Sequence, residues 1–199
     1  MSKDFWNDRY SDKEFAYGIN PNKFFKEQVG KLRPGNALFL GEGEGRNAVY
    51  AAKLGWIVDA VDFSSSAKDK ALSLANKNNV TINYDVCDLN DFIFKENFYD
   101  LVVMIFLHLP IELSKNIFMS SSISLKQQGN MIVVTFSKDQ INNTSGGPKS
   151  IELLYSENDI LSLTQNLQID TIESKEIELD EGEYHKGKAN VIRFVGTKM

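Results

Sequence analysis

The chain is expected to fold as an α/β protein, a mostly parallel sheet flanked by helices and finished by an antiparallel hairpin. Three observations predict this. Short apolar runs alternate with segments of helical period, the pattern of parallel strands joined by crossover helices. A glycine-rich turn, Gly41-Glu42-Gly43-Glu44-Gly45, links the first such run to a helical segment. Near the end, the strand-like segments Gln168 to Leu179 and Ala189 to Thr197 are separated by about nine residues, too few for a crossover helix.

In chain order, the first strand is Ala37-Leu38-Phe39-Leu40, and the helix after it has a small face of Ala48, Ala51 and Ala52 with Gly55 where a C-terminal cap belongs. Ile57 to Val61 is the second strand. Ser64 is an N-cap candidate for a helix that places Ala67, Ala71, Leu74 and Ala75 on one side. Thr81-Ile82-Asn83-Tyr84 alternates as an edge strand does. Tyr99 to Phe106 and Met131 to Phe136 are the fourth and fifth strands. Ser156 and Asp159 have capping-box spacing before Ile160, Leu163 and Leu167.

A chain of 199 residues, 42% hydrophobic and 25% charged, suits one globular domain. Within it, residues 1–20 are expected to form a lid, 137–155 a substrate-side loop and 168–198 the hairpin. No apolar run reaches the roughly 20 residues of a membrane span, and Met1 to Trp6 lacks the apolar core of a secretion signal, so a cytoplasmic location is expected. The single cysteine, Cys87, excludes an intrachain disulfide and a cysteine-based metal cluster, and no metal site is expected. With net charge −5 and no Lys/Arg block, the chain lacks the basic stripe that nucleic-acid binding needs. A small acceptor is the expected partner, with no nucleic acid or membrane, on a monomer or weak homodimer.

The glycine turn carries the chemistry. Glycines bend sharply and admit a ligand close to the main chain. A dinucleotide site would want a third glycine at Arg46; the spacing here is G-x-G-x-G, a form common where S-adenosylmethionine lies along the turn. The second strand ends in Asp62, whose two oxygens suit a ribose diol; the competing role is a charge at a helix N-terminus. Phe63 and Ser64 follow it. Asp88 is placed to accept from an adenine amino group while Phe63 and Leu89 pack on the ring. For Cys87, inert packing is the expectation, since no activating base adjoins it.

The run from Phe5 to about Phe136 resembles the small class I methyltransferases of the tellurite-resistance/thiopurine-methyltransferase-like group. The residues that carry the resemblance are Phe5-Trp6-Asn7-Asp8-Arg9-Tyr10, Tyr17-Gly18, Pro21-Asn22, Gly41 through Asn47, Ala60-Val61-Asp62-Phe63-Ser64, Asp100-Leu101-Val102 and Phe106-Leu107-His108-Leu109. Thr144 to Lys149 and Glu181 to Lys188 are similar to a narrower branch. The resemblance implies a three-layer Rossmann-like fold with seven strands in the order 3-2-1-4-5-7-6, the last antiparallel. It also implies S-adenosyl-L-methionine as cofactor and S-adenosyl-L-homocysteine as product, at Gly41, Glu42, Gly43, Gly45, Arg46, Asn47, Asp62, Phe63, Ser64, Asp88, Leu89 and Phe106. A thiol or another soft nucleophile as acceptor rests on this likeness alone.

Two positions depart from the group. Phe39 stands where an acid is usual and Glu42 where a small residue or cysteine is usual. Glu42 is expected to take over part of the missing acid's role beside the methionine ammonium. Arg46 either meets the methionine carboxylate or is a solvated helix-start arginine.

Ligands of such sheets sit outside the carboxyl ends of the parallel strands. This places His108, segment 137–155 and the hairpin turn with His185 at one mouth, so both histidines of the chain fall there. His108 is either a hydrogen-bonded packing residue or a general base. His185 is either a surface-turn residue or a catalytic one, and Tyr17 is the third catalytic candidate, facing the methyl pocket from an aromatic lid of Phe5, Trp6, Tyr10 and Phe15. Trp6 is expected to seal a helix to the core. Lys149 and Lys188 are solvated charges or attractors of an anionic acceptor. The competing functions are a cofactor-binding protein without transfer activity and an NAD-dependent oxidoreductase.

Overall fold

In a computed structural model covering residues 2–199, every apolar run named above lies in or beside a strand, and Met1, the first residue of the expected lid, lies outside the described residues. The order is α1 (Lys3–Arg9), α2 (Lys23–Val29), β1 (Asn36–Leu40), α3 (Arg46–Lys53), β2 (Ile57–Asp62), α4 (Ser65–Lys77) and β3 (Asn83–Val86). It continues with β4 (Tyr99–Ile105), α5 (Ile111–Ser124), β5 (Leu125–Phe136), α6 (Glu157–Leu163), β6 (Gln168–Asp180) and β7 (Lys186–Thr197). Two 3-10 turns, Lys138–Asn142 and Ile151–Leu153, lie between β5 and α6.

The strands form one sheet in the order β3-β2-β1-β4-β5-β7-β6. Pairs from β3 to β5 are parallel, and β7 runs antiparallel to both neighbours. β6 therefore points the same way as β1 to β5, which brings the β6–β7 turn to their carboxyl edge. This is the fold the sequence predicted.

Ala37 to Leu40 are buried on both faces, as a central parallel strand requires. Phe39 packs with Phe24, Phe25, Ala48, Ala51, Ala71 and Leu74 on the side of α2, α3 and α4, while Leu38 and Leu40 join Ile117, Phe118 and Ile160 on the side of α5 and α6. Those two cores make the three layers.

Local signals hold at the helix ends. The Ser64 hydroxyl accepts the Ala67 N–H, and Ser156 with Asp159 closes the capping box of α6. Gly55, with φ +94°, follows α3. α5 carried no clear sequence signature because serines interrupt its apolar stripe; Ser114, Ser121, Ser122 and Ser124 are buried, and the last two return their hydroxyls to helix carbonyls.

Three strand starts differ from expectation by two residues or more. β3 starts at Asn83, where pairing with Asp59 of β2 begins, so Thr81 and Ile82 precede the ladder. β5 begins at Leu125, extended through a polar bulge at Gln128 and Gly129. β7 begins at Lys186 because Lys186 to Lys188 continue the ladder with Glu178 to Asp180. β6 is an edge strand rich in charge, with Glu173, Lys175, Glu176 and Glu178. No helix among the described residues is long and apolar enough to cross a membrane.

Candidate functional site

The glycine turn leaves β1 at Leu40 and enters α3. At Gly43, φ is +63° and an added Cβ would lie 2.8 Å from the Tyr10 hydroxyl; at Gly45, φ is +86° and a Cβ would lie 2.9 Å from the Ala71 Cα. The second contact is with backbone, so only glycine lets α3 and α4 approach this closely. Asp62, at the tip of β2, reaches across the turn. Its Oδ2 accepts the Gly43 N–H at 3.0 Å and its Oδ1 the Ser64 N–H at 2.9 Å. Burial raises the Asp62 carboxyl to about 6, against the lowering effect of these amides.

Glu42 turns its carboxylate onto the start of α3, whose N-cap Gly45 has no side chain. Its Oε1 accepts the N–H groups of Asn47 at 2.9 Å and Ala48 at 2.8 Å. Burial raises Glu42 to about 7, outweighing those amides and Arg46. Phe39 is fully buried edge-on to Phe25, with ring centres 5.6 Å apart, so the position where an acid is usual belongs to the core.

Beside Asp62 an open groove of about 300 Å³ is lined by Ser2, Lys3, Phe63, Val86, Cys87 and Asp88. Asp88 Oδ1 accepts from the main chain and side chain of Asn90. Leu89 packs into the α5–α6 core. Burial first, then Asp91, Asp88 and Asp85, raise the Cys87 thiol and keep it protonated. The Ser64 hydroxyl donates to Asn7 at 2.8 Å, and so ties α1 to the glycine-turn side. Trp6 and Tyr17 pack on a small cluster of Tyr10, Ala16 and Ala67, which seals this segment to α4.

Arg46 and Asn47 spend their side chains elsewhere. Arg46 is 7% exposed, so the solvated alternative fails; its Nη2 lies 2.7 Å from Glu181 Oε2 and its Nη1 donates to the Tyr17 carbonyl at 3.3 Å. Asn47 Oδ1 accepts the Asn22 N–H at 2.9 Å. Asn22 Nδ2 in turn donates to Glu181 Oε1 at 2.9 Å. Glu181 opens the Glu181 to Lys188 segment noted above for its likeness to a narrower branch, but one acid among the three of Asp180-Glu181-Gly182-Glu183 shows no role in the sequence and was not named as a site residue. The signals that could have found it were that segment's likeness and its place four residues before His185.

His185 corrects the surface-turn expectation: it is 5% exposed. The hairpin turn docks on the N-terminal segment, where a Cβ on Gly182 would lie 2.5 Å from the Gly18 nitrogen and the Arg9 guanidinium covers the Tyr184 ring at 3.7 Å. The His185 ring is boxed by Tyr17 at 4.4 Å, Phe106 at 4.6 Å and Phe136 at 5.3 Å between centres. Phe106 reaches it from a left-handed backbone, φ +56°. Burial lowers the imidazole, Glu181 opposes this, and the net shift leaves it neutral at pH 7. For Glu181, burial is outweighed by His185 and Arg46, which hold it at about 2.

His108 sits across Phe136, stacked at 5.5 Å. Its Nδ1–H donates to the Leu153 carbonyl at 2.7 Å and its Nε2 accepts the Phe136 N–H at 3.4 Å. Both nitrogens serve the main chain, and burial lowers the ring to about 4, the arrangement of a packing residue. Lys149 donates to the Asn143 carbonyl and Lys188 pairs with Glu176 at 3.3 Å, so neither is placed among the aromatic rings.

The family model described as tellurite resistance protein TehB matches residues 2–195. No curated protein matches the chain in sequence. Among solved structures, the chain is similar to TehB from Haemophilus influenzae, at 19% identity and TM-score 0.74, over 99% of this chain and 67% of that one. It is similar to the N-methyltransferase NodS from Bradyrhizobium japonicum WM9 in complex with S-adenosyl-L-homocysteine, at 14% identity and TM-score 0.71, over 98% and 97%. A SAM dependent methyltransferase from Aquifex aeolicus aligns at 18% identity and TM-score 0.67 over the whole of both chains. The chain belongs to the TehB family, and its fold is that of class I S-adenosylmethionine-dependent methyltransferases.

Proposed function

We propose that this TehB-family methyltransferase holds S-adenosylmethionine along the glycine turn and passes its methyl group in line to a small acceptor, a thiol or other soft nucleophile. The observation that carries the reading is the meeting of Asp62 with the Gly41–Gly45 turn, beside the groove of Phe63 and Asp88. The residues fit the cofactor. Asp62 is held by two amides with lone pairs left for a ribose diol, Phe63 and Asp88 suit an adenine, and Glu42 and Asp62 supply negative charge for a cationic ligand.

When bound, the cofactor supplies a methyl group on a positively charged sulfonium, already a good leaving group. The protein's part is alignment and exclusion of water. Tyr17, Phe106 and Phe136 wall the acceptor side, and the neutral His185 imidazole is able to take the acceptor's proton where its pKa requires that. His108 supports the wall through Phe136. A second reading, cofactor binding without transfer, draws on Phe39 and Glu42, which change the chemistry usual at the turn.

Calorimetric titration with S-adenosylhomocysteine, with NAD as control, tests this. One-site binding near the micromolar range, about −8 kcal/mol, is expected, together with at least about a tenfold loss in Asp62→Ala. NAD binding, or silence from both ligands, would remove the proposal. Binding without turnover on a panel of thiols and other small nucleophiles would favour the second reading.

A further inference from the structure

The buried carboxylate of Glu181 gathers three elements. Its Oε1 accepts from Asn22 at the start of α2, its Oε2 pairs with Arg46 in the first turn of α3, and the same Oε2 faces His185 Nδ1 at 3.8 Å within its own hairpin turn. His185 Nδ1 is buried and has no hydrogen-bond partner among the described residues. The turn is closed by the Glu181 N–H donating to the His185 carbonyl at 2.8 Å. On the far edge of the ring stands Gly146, where an added Cβ would lie 2.5 Å from His185 Cδ2 and 3.1 Å from Nε2. The missing side chain lets the Gly146 main chain approach this edge of the ring.

A neutral imidazole carries one proton, and the group that faces one nitrogen decides which nitrogen keeps it. An anion cannot donate, so Glu181 favours the proton on Nδ1 and leaves the lone pair on Nε2. We propose that Glu181 is a positioning residue that fixes His185 as the Nδ1–H tautomer and leaves Nε2, the proton acceptor, on the ring edge bordered by Gly146. The inference rests on the proposed methyl-transfer site, since it concerns the nitrogen offered to the acceptor there. Charged and titratable groups facing the ring are Glu181 from the hairpin, Arg46 from α3, Arg9 from α1, Tyr17 from the segment after α1 and His108 beyond Phe136. Of these, Glu181 is the anion that faces Nδ1.

Nitrogen-15 NMR of the histidine side chains tests this without an acceptor. Two histidines make the spectrum assignable, with His108→Gln identifying the second ring. In the wild type, His185 is expected to show a protonated Nδ1 and an unprotonated Nε2. The double variant Arg46→Met with Glu181→Met replaces the buried pair by apolar groups, which proteins often tolerate better than an unpaired charge. In it, the Nδ1–H preference should be lost and the ring should titrate at lower pH. An Nε2–H tautomer in the wild type overturns the inference even if no variant folds, and so does a double variant with the wild-type tautomer and titration. A wild type that keeps the Nδ1–H tautomer but does not bind S-adenosylhomocysteine would defeat the methyltransferase reading and leave this one standing.

Discussion

The glycine turn and the hairpin turn lie at the same edge of the sheet, and each buries carboxylates; Glu44 of the glycine turn pairs with Lys70 at 2.7 Å, but Glu42 and Asp62 are held in the opposite way to Glu181 of the hairpin turn. At the glycine turn, Glu42 and Asp62 receive main-chain amides and little else, and burial raises them to about 7 and about 6. At the hairpin turn, Glu181 has Arg46 at 2.7 Å and His185 beside it, and is held at about 2. Arg46, the one cation near both, is committed to Glu181. A buried acid answered by the protein's own cation holds the fold together, whereas one answered only by amides is electrically incomplete. That difference supports the proposed placement of a cationic ligand beside Glu42 and Asp62.

The comparison breaks most visibly at Arg46. Arg46→Met leaves the Glu181 charge buried and unpaired, and should cost about 3–5 kcal/mol of stability in urea unfolding. The double variant with Glu181→Met should recover most of it. A small loss in the single variant would mean that the hairpin turn is no better compensated than the glycine turn.

Acidity separates the two regions next. Asp62 and Glu42 have folded values above their ordinary ones, so their contribution to the ligand-free fold is complete at low pH and is lost as pH rises through about 6 and about 7. A cationic ligand needs the charged forms. Affinity for S-adenosylmethionine should therefore fall by about tenfold or more between pH 8 and pH 5.5, measured by titration. Glu181 has the opposite sign: its contribution is present above the ordinary glutamate value and fades only as pH falls through about 2. The hairpin should stay docked across the whole interval, visible as unchanged His185 burial by NMR. A pH-independent affinity would contradict the assignment of Asp62 and Glu42.

The smallest expected effect is at Glu42. Glu42→Gln keeps an oxygen for the amides of Asn47 and Ala48 and removes only the charge, so cofactor affinity should drop by more than twofold but less than about tenfold, under about 1.4 kcal/mol. An affinity within twofold of wild type would reduce Glu42 to a helix cap.

The parts of the molecule legible in sequence were those governed by local rules. Gly55 announces a helix end, Ser64 and Ser156 announce caps, and two strands joined by a few residues announce a hairpin. The glycine turn and Asp62 were legible together because a strand–turn–helix unit sets their spacing. The side chains of Arg46 and Asn47 were not, since their partners Glu181 and Asn22 lie 135 and 25 residues away in the chain. The burial of His185 was not legible for the same reason: a turn residue is exposed unless something docks on it, and what docks here is the N-terminal segment.

One topological feature bears on how the protein is made. β7 follows β6 in the chain but lies between β5 and β6. On the ribosome, β6 therefore emerges before its only neighbour exists, with both edges bare. The nascent chain must hold a long unpaired ribbon, the situation that invites pairing with other chains. The charges of Glu173, Lys175, Glu176 and Glu178 serve that interval as well as the finished surface. His185 lies in the turn between β6 and β7, and its contacts with Tyr17 and Phe106 accompany the docking of that turn. The acceptor side proposed above thus draws on a turn that is made only after β1 to β5.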